Sequence, residues 1–203
     1  MEYLVTMTTH VPDGTSDAAV GDMRAREAER AQKLAEQGHL LRLWRPPLQP
    51  GEWRSLGLFA ADGDAELERV LTSMPLRLWR TDEVTPLAAH PHDPAPGEIL
   101  LGPAGAEFLT VLTVTPPPGT PPEVVKDVYE REGKRSRELA DQGRLLRLWR
   151  LPGERRALAH WQVRDSEELR EIVASLPIAG WLASDTVPLT RHPSDPAVAR
   201  TPS

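Results

Sequence analysis

Two glutamates, Glu27 and Glu132, are the residues best placed to do chemistry. Each sits in the middle of an apolar stripe. Val20, Met23, Ala31 and Leu34 flank Glu27 at helical spacing. Val125, Val128 and Leu139 flank Glu132 in the same way, with Tyr129 in the preceding turn. A carboxylate on a buried stripe is costly unless it is paired or neutralised. Burial raises its pKa and makes it a candidate acid or base near neutral pH. A structural ion pair with an arginine of a neighbouring sheet would satisfy it equally well.

A second set of candidates lies in a short stretch that occurs twice. Leu40-Leu41-Arg42-Leu43-Trp44-Arg45 returns as Leu145-Leu146-Arg147-Leu148-Trp149-Arg150. Alternation along a strand puts Arg42 and Trp44 on one face, and Arg147 and Trp149 likewise. A guanidinium beside an aromatic ring can hold a small carboxylate or a developing oxyanion. A core tryptophan and a structurally paired arginine fit the same pattern. His90 and His192 each stand before a proline, after the last strand of their copy. They are candidate acid–base or hydrogen-bonding groups, or rings that tie down a chain end.

The repeat extends over the whole chain. Glu2-Tyr3-Leu4 matches Glu107-Phe108-Leu109, Glu27 matches Glu132, and Ser73-Met74-Pro75 matches Ser175-Leu176-Pro177. His90-Pro91-His92-Asp93-Pro94 matches His192-Pro193-Ser194-Asp195-Pro196. Three residues are lost in one turn, between Pro46-Pro47-Leu48-Gln49-Pro50-Gly51 and Leu151-Pro152-Gly153. A turn is where a deletion is tolerated. The chain is therefore two diverged copies of one unit, 1–90 and 107–196, joined by a Pro-, Gly- and Ala-rich linker at 91–106.

The elements that must position these residues follow from periodicity. In the first copy, strands are expected at Tyr3–Thr9, His39–Arg45, Trp53–Phe59 and Trp79–Leu87, and helices at Ala18–Gln37 and Ala65–Ser73. Gly38 is a natural helix stop. In the second copy, strands are expected near 107–115, 144–151, 155–163 and 181–190, with helices near 121–142 and 165–176. The tail after Pro193 is expected to be mobile. The order β-α-β-β-α-β is a ferredoxin-like split unit. The fold class is thus α+β: two ferredoxin-like βαββαβ units, expected to cover each other's open sheet faces as an intrachain dimeric α+β barrel.

Composition bounds the function. The chain has 203 residues, a net charge of −6 and no cysteine. Disulfides, thiolate metal sites and cysteine nucleophiles are excluded. The acidic balance argues against nucleic acid as a partner. No apolar run approaches a membrane span, and the N-terminus lacks a secretory pattern. A cytoplasmic location is expected. There is no phosphate loop, no G-x-S-x-G and no H-E-x-x-H. The pair His90 and His92 has no supporting ligands, so no metal is expected.

These landmarks together resemble the muconolactone delta-isomerase family. Met7-Thr8, the helix Glu27, Leu43-Trp44-Arg45, Met74-Pro75 and His90-Pro91 carry the likeness in the first copy. Glu132, Leu148-Trp149-Arg150, Leu176-Pro177 and Arg191-His192-Pro193-Ser194 carry it in the second. The resemblance implies an oligomeric, cofactor-free isomerase of aromatic catabolism. A carboxylate base would move a proton from the γ to the α carbon of an unsaturated lactone. Other groups would steady the dienolate and grip the substrate carboxylate. On this reading Glu27, Glu132, His90 and His192 are the catalytic candidates. Arg42, Trp44, Arg147, Trp149 and Arg191 are the candidates for binding a lactone or carboxylate. The chain departs from the family where a lysine follows the helix glutamate: Ala28 and Gly133 stand there. The third strand and the Asp82-Glu83 pair differ as well, which points to a different pocket and substrate.

Two classes of function remain open at this stage. One is an acid–base isomerase, or a related tailoring enzyme of a biosynthetic pathway. The other is a non-catalytic small-molecule binder or structural protein, in which an ion pair consumes each glutamate. A homo-oligomer of fused pseudo-dimers is compatible with both. If only one copy is active, the second is favoured, because it keeps Arg191 beside His192.

Overall fold

A computed structural model describes residues 1–96 and 105–197; part of the expected linker and the last six residues lie outside them. The chain forms two compact units. The first is Met1–Leu87 together with the segment from Thr190 onward; the second is Ala88–Leu189. These units do not coincide with the sequence repeats. The closing motif of each repeat belongs in space to the other repeat's unit.

Unit 1 is built from β1 (Glu2–Thr9), α1 (Asp17–Glu36), β2 (Leu40–Arg45), β3 (Arg54–Ala60), α2 (Asp64–Thr72) and β4 (Arg80–Ala89). Its sheet order is β4-β1-β3-β2, antiparallel throughout. Unit 2 repeats the pattern with β5 (Ala106–Val114), α3 (Pro122–Asp141), β6 (Leu145–Arg150), β7 (Arg156–Val163), α4 (Ser166–Ala174) and β8 (Leu182–Arg191). Its sheet order is β8-β5-β7-β6. The α+β class and the two βαββαβ units are therefore as expected. Beyond Leu87, β4 runs two residues further than the sequence pattern indicated. Those two residues, Ala88 and Ala89, pair with Arg150 and Trp149. Thr190 and Arg191 of β8 pair in the same way with Arg45 and Trp44.

The long helices form for local reasons. Ser16 caps α1 by accepting from the Ala19 N–H. Gly38, at a φ of 77°, ends it in the left-handed conformation that glycine adopts without a Cβ clash. Ala31 and Leu34 of α1 are buried against Tyr3, Val5, Met7, Leu43 and Phe59 of the sheet. The same core recurs in unit 2, where Val128 and Leu139 of α3 meet Phe108, Leu112, Leu148 and Trp161.

Of the two readings open for β2, the structure shows the buried arginine pair and core tryptophan. Arg42 and Trp44 do share a face, but both are fully enclosed. The Arg42 Nε and Nη2 donate to the two carboxylate oxygens of Asp195 at 3.0 and 2.9 Å. The Leu43 N–H donates to the same carboxylate at 3.2 Å. The guanidinium carbon lies 4.8 Å from the Trp44 ring centre. Unit 2 builds the same device: Arg147 donates to Asp93 at 3.1 and 3.0 Å, Leu148 N–H adds a bond of 3.0 Å, and Arg147 stacks on Trp149. The expected mobility after Pro193 is corrected for 194–197; the rest of the tail lies outside the described residues. The chain is pinned through Asp195, because that carboxylate is the counter-charge of a buried arginine.

Removing one partner of a buried pair leaves the other charge uncompensated. Asp195→Ala and Asp93→Ala are each expected to cost about 3–5 kcal/mol in urea unfolding. Asp22→Ala, which breaks an exposed pair with Arg26, is expected to change stability by no more than about 1 kcal/mol.

Candidate active site

Glu27 leaves the stripe of α1 toward the ends of β1, β2 and β4. Its Oε1 accepts from the Arg80 Nη1 at 2.9 Å, and its Oε2 accepts from the Leu76 N–H at 2.9 Å. Burial raises its pKa. The Leu76 hydrogen bond and the Arg80 charge oppose that shift, and the nearby Asp82 charge reinforces it. Glu27 is thus held in place by two donors yet kept more basic than an ordinary glutamate.

This carboxylate forms part of the wall of a cavity of about 490 Å³ within unit 1. Met7, Ala31, Leu43, Met74 and Leu76 give it an apolar floor. Arg24, Arg45, Trp53, His192 and Ser194 also line it. Arg24 sits 4.4 Å above the Trp53 ring centre. The His192 Nδ1 accepts from the Ser194 N–H at 3.1 Å, which assigns the neutral ring's proton to Nε2. Burial, with the Arg45 charge adding to it, lowers the His192 pKa to about 4. The ring is therefore neutral at pH 7 and can donate through Nε2 without carrying charge.

Unit 2 is arranged differently around Glu132. Burial raises this pKa too, opposed by a 3.3 Å bond from the Ile178 N–H and by the Arg135 charge. The position equivalent to Arg80 is Leu182. The His92 imidazole lies against Gly133: a Cβ placed there would come within 2.6 Å of the ring. The equivalent pair in unit 1 is Ser194 and Ala28, both of which line the open cavity. The histidine of unit 2 thus occupies space that unit 1 leaves empty. His90 accepts from the His92 N–H through Nδ1 at 3.2 Å, and burial lowers its pKa to about 4.

Of the residues singled out in the sequence, the structure brings together Glu27 and His192. It does so across repeats, because His192 follows β8 and closes unit 1. Glu132 and His90 belong to unit 2. Arg42, Trp44, Arg147 and Trp149 serve the buried ion pairs and line neither cavity described here. Arg191 lies in the strand pairing opposite Trp44 and does not line the cavity. The pairing of Arg191 with His192 that favoured the second copy lies in unit 1, whereas Glu132 lies in unit 2. Sequence reasoning missed Arg80, Arg45 and the Arg24–Trp53 stack. Arg45 was legible as the residue that alternates with Leu43; Arg80 has no counterpart in the second copy and gave no repeat signal.

Among the described residues no helix is long and apolar enough to cross a membrane, and no cluster of His, Asp or Glu could hold a metal ion.

Fold and site together define a duplicated ferredoxin-like α+β protein with a carboxylate-centred cavity in its first unit. A family model described as muconolactone delta-isomerase matches residues 1–93 and again 106–195. The chain belongs to that family, as a tandem member. It is 33% identical over 91 residues to muconolactone delta-isomerase 1 of Acinetobacter lwoffii, covering 45% of this chain and 92% of that protein. It is 35% identical over 91 residues to the muconolactone delta-isomerase of Cupriavidus pinatubonensis, covering 45% and 96%. Over nearly its whole length it has the fold of a haem-binding protein from Thermus thermophilus, with a TM-score of 0.61, 11% identity and coverage of 96% and 93%. A chlorite dismutase from Candidatus Nitrospira defluvii also gives a TM-score of 0.61, at 10% identity with coverage of 95% and 92%. Likeness at that identity concerns the fold alone.

The lowered histidine pKa values set a pH dependence of stability. Between pH 6.5 and about 4 the unfolded chain binds protons at His90 and His192 that the folded chain refuses. Their contribution is complete above pH 6.5 and lost as pH falls toward 4. In melting experiments across that window, a His90→Asn/His192→Asn variant is expected to lose less stability than the wild type. An equal loss would contradict the assignment.

Proposed function

We propose that unit 1 is an acid–base isomerase acting on a small unsaturated lactone that bears a carboxylate. Glu27 removes a proton from the γ carbon, and the C–H electron pair moves through the conjugated system onto the carbonyl oxygen. The same carboxyl group returns the proton at the α carbon, so the double bond shifts by one position and no cofactor is consumed. The His192 Nε2–H is the neutral donor available to the dienolate oxygen. Arg45 and Arg24 are the cations available to the substrate carboxylate. The observation that carries this reading is a glutamate of raised pKa in the wall of a cavity that also presents a neutral histidine and, besides Arg80, the arginines Arg24, Arg45 and Arg54.

Family membership supports the reaction class. The replacements around the pocket leave the particular lactone open, and a related enolisable acid would meet the same groups. Leucine stands at the position equivalent to Arg80, and the His92 ring covers Gly133 beside Glu132, so unit 2 is assigned a non-catalytic role. The Glu27–Arg80 ion pair favours one competing reading: a binder of small carboxylates in which the glutamate only balances charge.

Proton NMR of muconolactone incubated with the protein in heavy water separates these readings. Deuterium is expected to enter the α or γ carbon with the wild type. Glu27→Gln should slow this by about 100- to 10,000-fold, the usual contribution of general acid–base catalysis. Glu132→Gln should leave it within about threefold of wild type, if proton transfer in unit 1 is independent of that glutamate. Equal losses in both variants would reject the single-site assignment, and substrate binding without exchange would favour the binder.

The pH profile supplies a second test. The carboxylate form is the active one, so kcat/KM should rise with pH through the raised Glu27 pKa. Its acid limb should lie above the range of an ordinary glutamate.

A further inference from the structure

Arg80 is shared between two carboxylates, and the sharing is uneven. Its Nε donates to Asp82 Oδ1 at 2.7 Å and its Nη2 to Asp82 Oδ2 at 3.2 Å. Only Nη1 is left for Glu27. The side edge of the guanidinium, Nε with Nη2, is therefore taken by Asp82, and Nη2 also points at the Met74 sulfur at 3.6 Å. Asp82 is itself held from the far side by Arg77, whose other partner is Glu68 at 3.0 Å. The side chains of Arg80 and Asp82 are both 2% exposed, so little solvent screens the chain of alternating charges from Glu27 to Asp82.

We infer that Asp82 is a positioning residue for the Glu27 base: by occupying the two-pronged edge of Arg80, it limits Glu27 to one bond with that arginine and keeps its carboxylate basic. This rests on the reading of Glu27 as the base. If Asp82 were absent, Arg80 would present both its edge and its whole charge to Glu27. A base in a close two-pronged ion pair is stabilised in its ionised form and loses proton affinity. The other charged or titratable groups of the cavity are Arg24 on α1, Arg45 on β2, Glu52 before β3, Arg54 at its start, and His192 after β8. None of them has a hydrogen bond to Glu27 among the described contacts, so the Asp82–Arg80 pair is the adjustable element.

The second unit supplies an internal comparison. The positions equivalent to Glu68, Arg77, Arg80 and Asp82 are Arg170, Ala179, Leu182 and Ser184. Instead of an ion chain, these four residues help line an open groove of about 720 Å³. The whole set differs in the unit where the His92 ring covers the residue next to the glutamate. A network kept merely for packing would have no reason to follow the fate of the glutamate.

Two variants with opposite expected signs test the inference. The Glu27 carboxyl is followed by carbon NMR of glutamate-labelled protein, its signal assigned by loss in Glu27→Gln. In Asp82→Asn, the Glu27 midpoint is expected to fall below that of wild type. In Arg77→Met, Asp82 loses its competing cation, binds Arg80 more completely, and the Glu27 midpoint is expected to rise. Where the lactone is turned over, Asp82→Asn should lower kcat about tenfold and move the acid limb to lower pH, with KM nearly unchanged. A midpoint that stays put, or moves the same way in both variants, overturns the inference even in an active enzyme. If Asp82→Asn does not fold, the direction in Arg77→Met decides. Absence of deuterium exchange in wild type would count against the proposed reaction, while the two midpoints would still decide the role of Asp82.

Discussion

The structure depends on a buried arginine meeting an aspartate that lies far along the chain. Asp195 is 153 residues from Arg42, and Asp93 is 54 residues from Arg147. A guanidinium enclosed beside a tryptophan cannot be left without a counter-charge. Each unit is therefore incomplete until the segment after a last strand arrives. The two-pronged geometry and the added backbone N–H fix where that segment stops. Hydrophobic residues in the same places could bury as much surface but would not select a single register. The ion pair in this fold is best understood as a device for specificity, with its net energy a secondary matter.

That constraint delivers the functional groups. Asp195 pins the chain three residues after His192, and the Ser194 N–H fixes the ring through Nδ1. The histidine thereby reaches the cavity that α1 supplies with Glu27. Because the closing segment comes from the other repeat, the two key residues of one site are inherited from different copies. A tandem gene is suited to this arrangement, since the closing motif of one copy can change without changing the cavity wall of its own repeat. Ser194 in one closing motif leaves room for a ligand, while His92 in the other fills the space over Gly133.

Much of the fold was legible in the sequence because its signals are local. Period-two runs marked the strands, the 3.6-residue stripe marked α1 and α3, and Gly38 marked a helix end. The burial of Glu27 followed from the same stripe. The roles of Arg42 and Trp44 were not legible, although their common face was. Alternation gives a face but cannot name a partner more than a hundred residues away. The aspartates of the two closing motifs were visible as a repeated feature, yet nothing local linked them to the repeated arginines. The placement of His192 failed for a related reason: reading each repeat as its own unit assigns the closing motif to the wrong cavity. Arg80 escaped because comparing the copies highlights what they share, and the arginine beside Glu27 is a feature in which they differ.

The difference between the copies has an electrostatic logic. A glutamate buried without a cation shifts toward its neutral form and binds its proton too firmly to act as a base at neutral pH. A glutamate in a full two-pronged pair is ionised but too weak a base to take a proton from carbon. Glu27 lies between these limits, with one bond from Arg80 and one from a backbone N–H. Among the described contacts Glu132 has one backbone bond, of 3.3 Å, and a charge from its own helix at Arg135. Changing Arg80 to leucine would move a site from the intermediate state toward the first limit in one step. Asp82 would then be left as a buried charge paired only with Arg77, and its replacement by a small neutral residue would relieve the cost. The sequence of unit 2, with Leu182, Ser184 and Ala179 at these positions, is the end point such a path would reach.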